Sequence, residues 1–315
     1  MRILRRRILS LIGGLATGAL SAAQKPFDVD RLIESQPGSN CGFQYRKYSV
    51  SATVRLLSIP IFSRAAVGSG YALVETRGRM TAIQFAAGSY PERAHGLNRL
   101  GFIQEVVVDE RPGCPEEFAW LAFMTTSQEK NLDQAKKALE ARNGLSPYSV
   151  SQGSGRGGWV SAWINRLQFE TGYTWRNLTE LVTRARAEMA RCAGEQRRPV
   201  RAERGATFLY SVRRAMLDES PRTSASLVFN DKRFRLDTQK RVEAEEGMVR
   251  MDAALTEWGA NERTTFRMWY RAGKEQAPPL RFEYQATPFL RLSFDADDRA
   301  EAPPIMFALR TKEAA

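Results

Sequence analysis

The chain has 315 residues, of which 43% are hydrophobic, 10% aromatic and 26% charged, enough to bury one large core or two modest ones, which excludes a disordered tail or a small stapled scaffold. Its formal charge is +12 and it holds one histidine, so no site made of two or three histidines can form. The residues point to an exported, strand-rich domain and bound the function more firmly than they name it.

In chain order, Arg2, Arg5, Arg6 and Arg7 precede an apolar run from Ile8 to Leu20 that ends in Ser21, Ala22 and Ala23. As a helix this run would rise about 20 Å, short for a bilayer core of about 30 Å, and the basic head and small-residue exit suit a signal peptidase. The expectation is a signal peptide over residues 1–23, cleaved after Ala23 and exported by the general route, with a periplasmic or secreted mature chain over 24–315. An uncleaved anchor is the alternative, weakened by Gly13, Gly14 and Gly18. The adjacent arginines also fit twin-arginine export, but no cofactor motif follows. Removing the segment takes away four arginines and no acid, leaving +8, sufficient for weak attraction to an anionic surface. No cysteine stands at the cleavage point to carry a lipid anchor.

Gln44 to Leu57 reads as a strand, followed by Ile59, Pro60, Ile61 and Phe62 as a turn or edge segment, with Pro60 at an edge or bulge. Val67-Gly68-Ser69-Gly70-Tyr71 reads as a short turn. Tyr71 to Thr76, Thr81 to Ala86 and Phe102 to Val108 are further short strands, better suited to an antiparallel sheet than to βαβ units. Phe118 to Met124 fits either a strand or a short helix.

Two helices are predicted in the middle. The first starts at Asn131 and stops at Asn143-Gly144, with Leu132, Ala135 and Leu139 on one face. In the second, Asn177 caps the first turn with Glu180 at the capping-box position, and Leu178, Leu181, Val182, Ala185 and Met189 form an apolar stripe suited to packing across a sheet. Between them, Ser146 to Gly158 reads as a mobile glycine-rich loop, without the GxxxxGK pattern of a phosphate loop. Trp159 to Phe169 fits strand or helix. Arg197, Arg198, Arg201 and Arg204 read as a solvated linker, and a subdomain boundary is placed near 194–206.

Toward the C-terminus, Thr207 to Val212, Ala225 to Phe229, Arg233 to Asp237, Met248 to Leu255 and Thr264 to Tyr270 read as strands, with helix the alternative for Met248 to Leu255. Leu280, Phe282 and Tyr284 then alternate with Arg281, Glu283 and Gln285, and Phe289, Arg291 and Ser293 with Leu290, Leu292 and Phe294, as an antiparallel hairpin. Arg281 with Glu283, and Arg291 with Asp295, read as exposed strand pairs. The fold class is α+β, mainly antiparallel β: a curved sheet or partly closed barrel with two central packed helices.

Trp269-Tyr270, Pro278-Pro279-Leu280-Arg281-Phe282-Glu283 and Phe289-Leu290-Arg291-Leu292 resemble the closing strands of exported bacterial β-rich domains of unknown function. The likeness covers about the last 50 residues, and more loosely Gln44 to Thr76. It implies a fold and carries no activity.

The chemistry is sparse. Cys41, Cys114 and Cys192 allow one disulfide in an oxidising compartment, without saying which pair, and form neither a CxxC nor a metal-ligand pattern. Ser89, His95 and Asp109 could make a hydrolytic triad, and equally fit a turn and a strand end. Glu116 with Glu117, and Glu245 with Glu246, read as solvated ends of elements. No catalytic residue, cofactor or metal site is assigned, and no nucleic-acid-reading module is present. The expected role is non-catalytic binding, in the periplasm or envelope, of an apolar small molecule, a lipid or a protein partner. The alternative is a secreted hydrolase using Ser89 and His95.

Overall fold

The computed structural model describes residues 42–309 apart from 57–58, 95–96, 112–113, 127–136, 138–139, 141–144, 157–158, 171, 193–197, 202–205, 231, 246, 261–262, 288–289 and 307. The expected export segment lies outside these residues, as does the helix predicted from Asn131 to Gly144 except for residues 137 and 140.

The chain folds into one antiparallel sheet of 14 strands. These are β1 (Gly42–Leu56), β2 (Ile59–Arg77), β3 (Met80–Ser89), β4 (Leu100–Arg111), β5 (Cys114–Thr125), β6 (Leu145–Arg156), β7 (Trp159–Glu170), β8 (Arg198–Arg201), β9 (Arg222–Phe229), β10 (Lys232–Val242), β11 (Met248–Glu257), β12 (Arg263–Arg271), β13 (Arg281–Thr287) and β14 (Leu290–Ala296). Neighbours in sequence are neighbours in the sheet, except that β1 pairs with β14, Tyr48 opposite Ala296 and Val54 opposite Leu290. That pairing joins the two halves and leaves β8 and β9 as the two ends. They nearly meet: Ala206, just after β8, makes a parallel bridge with Leu227 of β9, and Val228 N–H donates to the Ala206 carbonyl at 3.0 Å. The result is a nearly closed barrel, mostly β, whose named helices are α1 (Leu178–Cys192), led in by a 3₁₀ turn at Trp175–Asn177, and α2 (Phe208–Leu217).

Strand alternation sorts the side chains into an interior and an exterior. On β4, Ile103, Glu105 and Val107 face inward, while Phe102, Gln104 and Val106 face outward, and most of the strand is buried on both sides. Inside, rings from distant strands meet across the lumen: Trp120 of β5 lies 6.5 Å from Phe229 of β9, and Phe85 of β3 lies 5.1 Å from Phe282 of β13. Outside, α1 covers Phe102, Leu121, Phe123, Tyr148 and their neighbours with the predicted stripe of Leu178, Leu181, Val182, Ala185 and Met189. Its solvent face carries Arg184 and Arg191, both paired with Glu188.

The segment after β14 continues along this outer face and uses the buried polar groups of β2 and β3 as anchors. The Glu301 carbonyl accepts from Ser69 Oγ at 2.6 Å and from Trp175 Nε1 at 2.8 Å, and the Met306 carbonyl from Gln84 Nε2 at 2.6 Å. Glu75 accepts the Ala308 and Leu309 amides.

Several expectations are corrected. Val67 to Tyr71 is not a turn, because it belongs to the 19 residues of β2; Ile59 to Phe62 opens the same strand and pairs with β1 but not β3, so of the two readings the edge segment holds and the turn does not. The strand absorbs irregularity by register shifts: one lies beside Pro60, and another falls where Ala66 adopts φ 51°. Ser146 to Arg156 of the expected loop belong to β6, and Gly157 and Gly158 lie outside the described residues. Gly153 and Gly155 pair with Trp120 and Phe118 of β5, and a Cβ on either glycine would stand 2.0 Å or 2.2 Å from those rings. The glycines make room for aromatics. The ambiguous segments Phe118 to Met124 and Trp159 to Phe169 are both strands, and Arg198 to Arg201 of the expected linker form β8. Thr207 to Val212 is helical, because Phe208, Val212 and Met216 recur at helical spacing and make an apolar stripe, with Tyr210 and Ala215 also buried, that packs inside the barrel. Asn177 is not the cap. Thr174 is, and Asn177 Oδ1 accepts the Thr174 amide at 2.7 Å, because Trp175 is drawn into the core against Gly88 and starts the turn earlier.

Candidate functional site: the barrel interior

The barrel is occupied by α2, which reaches from β3 and β4 on one wall to β9 and β10 on the other. Thr207, at its N-cap, makes no local capping bond. Its hydroxyl instead donates to Glu105 Oε2 at 2.5 Å, and the same carboxylate accepts the amides of Leu209 at 2.8 Å and Tyr210 at 2.9 Å. A strand acid thus supplies the acceptors that a helix N-terminus needs. Burial pushes Glu105 from 4.5 up to about 7, against the opposing pull of these hydrogen bonds. Tyr210 OH donates to Asp109 Oδ1 at 2.5 Å, a second tie to β4. At the other end Lys240 of β10 donates to the Met216 carbonyl at 3.4 Å and to the Asp218 carbonyl. Burial lowers the Lys240 pKa. Acid at the N-terminus and cation at the C-terminus oppose the helix dipole at both ends.

Between α2 and strands β1–β3 and β11–β14 lies a cavity of about 310 Å³. Its walls are almost entirely apolar, and Phe85, Phe208, Phe266, Phe282 and Phe294 account for much of them. Phe282 and Phe294 stack at 4.1 Å. The turn after β12, from Glu275 to Pro279, forms one end, held by Tyr48 OH donating to the Pro279 carbonyl at 2.8 Å. Arg213 of α2 lies at this end and donates through Nη1 to the Gln276 carbonyl at 2.6 Å.

Of the scattered hydrolase residues, Ser89 and Asp109 are not brought together. Ser89 stands at the C-terminal end of β3, where its hydroxyl donates to the Leu97 carbonyl at 2.6 Å and accepts the Arg99 amide at 2.8 Å, closing the β3–β4 connection. Asp109 lies at the opposite end of the β3–β4 pair, its amide bonded to the Arg79 carbonyl, about 30 Å away along an extended strand. His95 is outside the described residues. Glu116 and Glu117 pair separately with Arg79 and Arg156; Glu246 and Cys41 are outside the described residues, as are the side chains of Cys114 and Cys192. Among the described residues no group of three His, Cys, Asp or Glu is placed to hold a metal ion, and no helix is long and apolar enough to cross a membrane.

The outer face of β10–β14 carries a second concavity, a polar groove of about 700 Å³. Arg250 pairs with Glu243 and Asp252, Arg267 with Asp252, and Arg281 with Glu283 and Asp295. The expected Arg291–Asp295 pair is replaced by Arg291–Glu283 at 2.9 Å, because Glu283 lies on the neighbouring strand between two arginines.

Sequence reasoning missed Glu105, Thr207 and Arg213. The available signals were a carboxylate inside the apolar run Phe102 to Val108, and a threonine placed just before a 208, 212, 216 stripe.

A solved structure is similar. It is the crystal structure of a beta-barrel-like protein of Domain of Unknown Function DUF1849 from Brucella abortus, 5% identical in sequence, with a TM-score of 0.45, covering 81% of this chain and 95% of that one. No known family and no curated protein matches the sequence.

Proposed function

We propose that this β-barrel protein is an exported, non-catalytic binding protein of the periplasm or cell envelope that carries an apolar small molecule or a lipid between α2 and the barrel wall. The observation that carries the reading is the cavity of about 310 Å³, at the lower end of the range of ligand sites and lined almost wholly by carbon. Export is supported by the basic head, short apolar run and small-residue exit of residues 1–23. The polar groove on β10–β14 would support the weak attraction to an anionic surface, since arginine outnumbers acid along it.

Solvent extraction of the protein purified from its native envelope, followed by mass spectrometry, tests the binding reading. One apolar species in near-stoichiometric amount is expected, and it should be lost from Val212→Trp, which fills the cavity. A clean extract, together with no uptake of any lipid by the purified protein, would count against a carrier and favour an assembly role. N-terminal sequencing of the exported chain should begin at Gln24; an intact N-terminus on membrane-bound protein would instead indicate an anchor.

A further inference from the structure

An apolar cavity orients its ligand through the few polar groups at its ends. Here the described cation with spare capacity is Arg213. Its guanidinium carries five donors, makes one described hydrogen bond, to the Gln276 carbonyl, and has no carboxylate within ion-pair distance among the described residues. Burial lowers its pKa, as expected of a cation partly withdrawn from water without a counter-charge. The acid at the same end, Glu275, turns Oε1 to the Gly273 amide at 2.7 Å, so that oxygen closes its own turn. Met216 and the Phe282–Phe294 stack line the same cavity as Arg213.

We propose that the cavity takes a single-chain amphiphile with an anionic head group, a long-chain fatty acid being the simplest, with the chain between α2 and the phenylalanines and the head group paired with Arg213. This rests on the carrier reading and adds the ligand's charge and polarity to it. A planar guanidinium suits a carboxylate through two parallel hydrogen bonds, and burial strengthens such a pair.

Titration calorimetry of the delipidated full chain with palmitate and with hexadecanol, which share a chain and differ in the head, separates the two claims. Palmitate is expected to bind at least about tenfold more tightly than hexadecanol. Arg213→Met should bring palmitate down to the hexadecanol level and leave hexadecanol unchanged, while Arg213→Lys keeps part of the preference. Val212→Trp should abolish binding of both; if that variant does not fold, Ala72→Leu narrows the same cavity from β2. Equal binding of both ligands, unaltered by Arg213→Met, overturns the head-group assignment and leaves the carrier reading standing. Binding of neither ligand overturns both.

Discussion

Glu105 on β4 accepts the amide of Leu209 at 2.8 Å across a sequence separation of 104 residues, so an acid in the barrel wall serves as the N-terminal cap of the helix that fills the barrel. The same carboxylate holds Thr207 and Tyr210. Glu105→Gln keeps one acceptor oxygen but turns an amide N–H₂ toward groups that are themselves donors. The expected cost is about 1–3 kcal/mol in urea denaturation, the penalty of leaving buried donors unmatched. Hydrogen exchange should rise in residues 208–217 more than in β1 or β14. Uniform acceleration over the whole barrel would show that Glu105 does not act through α2.

The pH dependence of this contact has a definite sign. Because burial raises the folded-state pKa of Glu105 from 4.5 to about 7, the folded protein holds a proton between those values that the unfolded chain has released. The stability associated with this proton is complete below about pH 4.5 and is lost as pH rises through about 7. The stability advantage of the natural protein over Glu105→Gln should therefore shrink between pH 4.5 and pH 7.5, measured by paired denaturation curves. An advantage that grows over this interval would mean that the hydrogen bonds outweigh desolvation.

Gly153 is expected to be intolerant of the smallest side chain. A Cβ there would lie 2.0 Å from the Trp120 ring, which is fully buried and cannot retreat. Gly153→Ala should cost about 1–3 kcal/mol through overpacking, and combination with Trp120→Leu should recover part of it, a coupling readable in a double-mutant cycle. Strict additivity would place the strain elsewhere.

The same pair shows what the sequence conceals. Phe102 to Val108 or Leu280 to Tyr284 announce themselves as strands because alternation is a local property, and the α1 stripe is equally local. The glycines of β6 follow no such rule: their meaning is set by Phe118 and Trp120 on β5, and composition alone reads them as a loop. Thr207 to Val212 reads as a strand for a related reason, since its aromatic and β-branched residues suit one, while the cap that supports a helix comes from β4. The cavity follows from β1 meeting β14 and from α2 crossing the lumen, relations among residues more than a hundred positions apart, so strand content is legible in the sequence where the cavity is not.

Glu75 offers a control on the opposite face of the wall. It is fully buried on the outside of β2 and accepts the Ala308 amide at 2.7 Å and the Leu309 amide at 3.2 Å, while Arg77 donates to the Leu309 carbonyl at 3.0 Å. Leu309 packs onto Met80, Val106 and Val108, so these bonds hold an apolar clasp over the sheet. Glu75→Ala removes the acceptor from two amides, and a loss of about 1–3 kcal/mol is expected. Limited proteolysis should then cut after residue 300 sooner than in the natural protein. Palmitate binding should be unchanged, because the clasp and the cavity lie on opposite faces of β2 and β3. Loss of binding with retained fold would show that the two faces are coupled through the strands; faster cleavage with intact binding would show that the outer clasp contributes stability independently of the ligand.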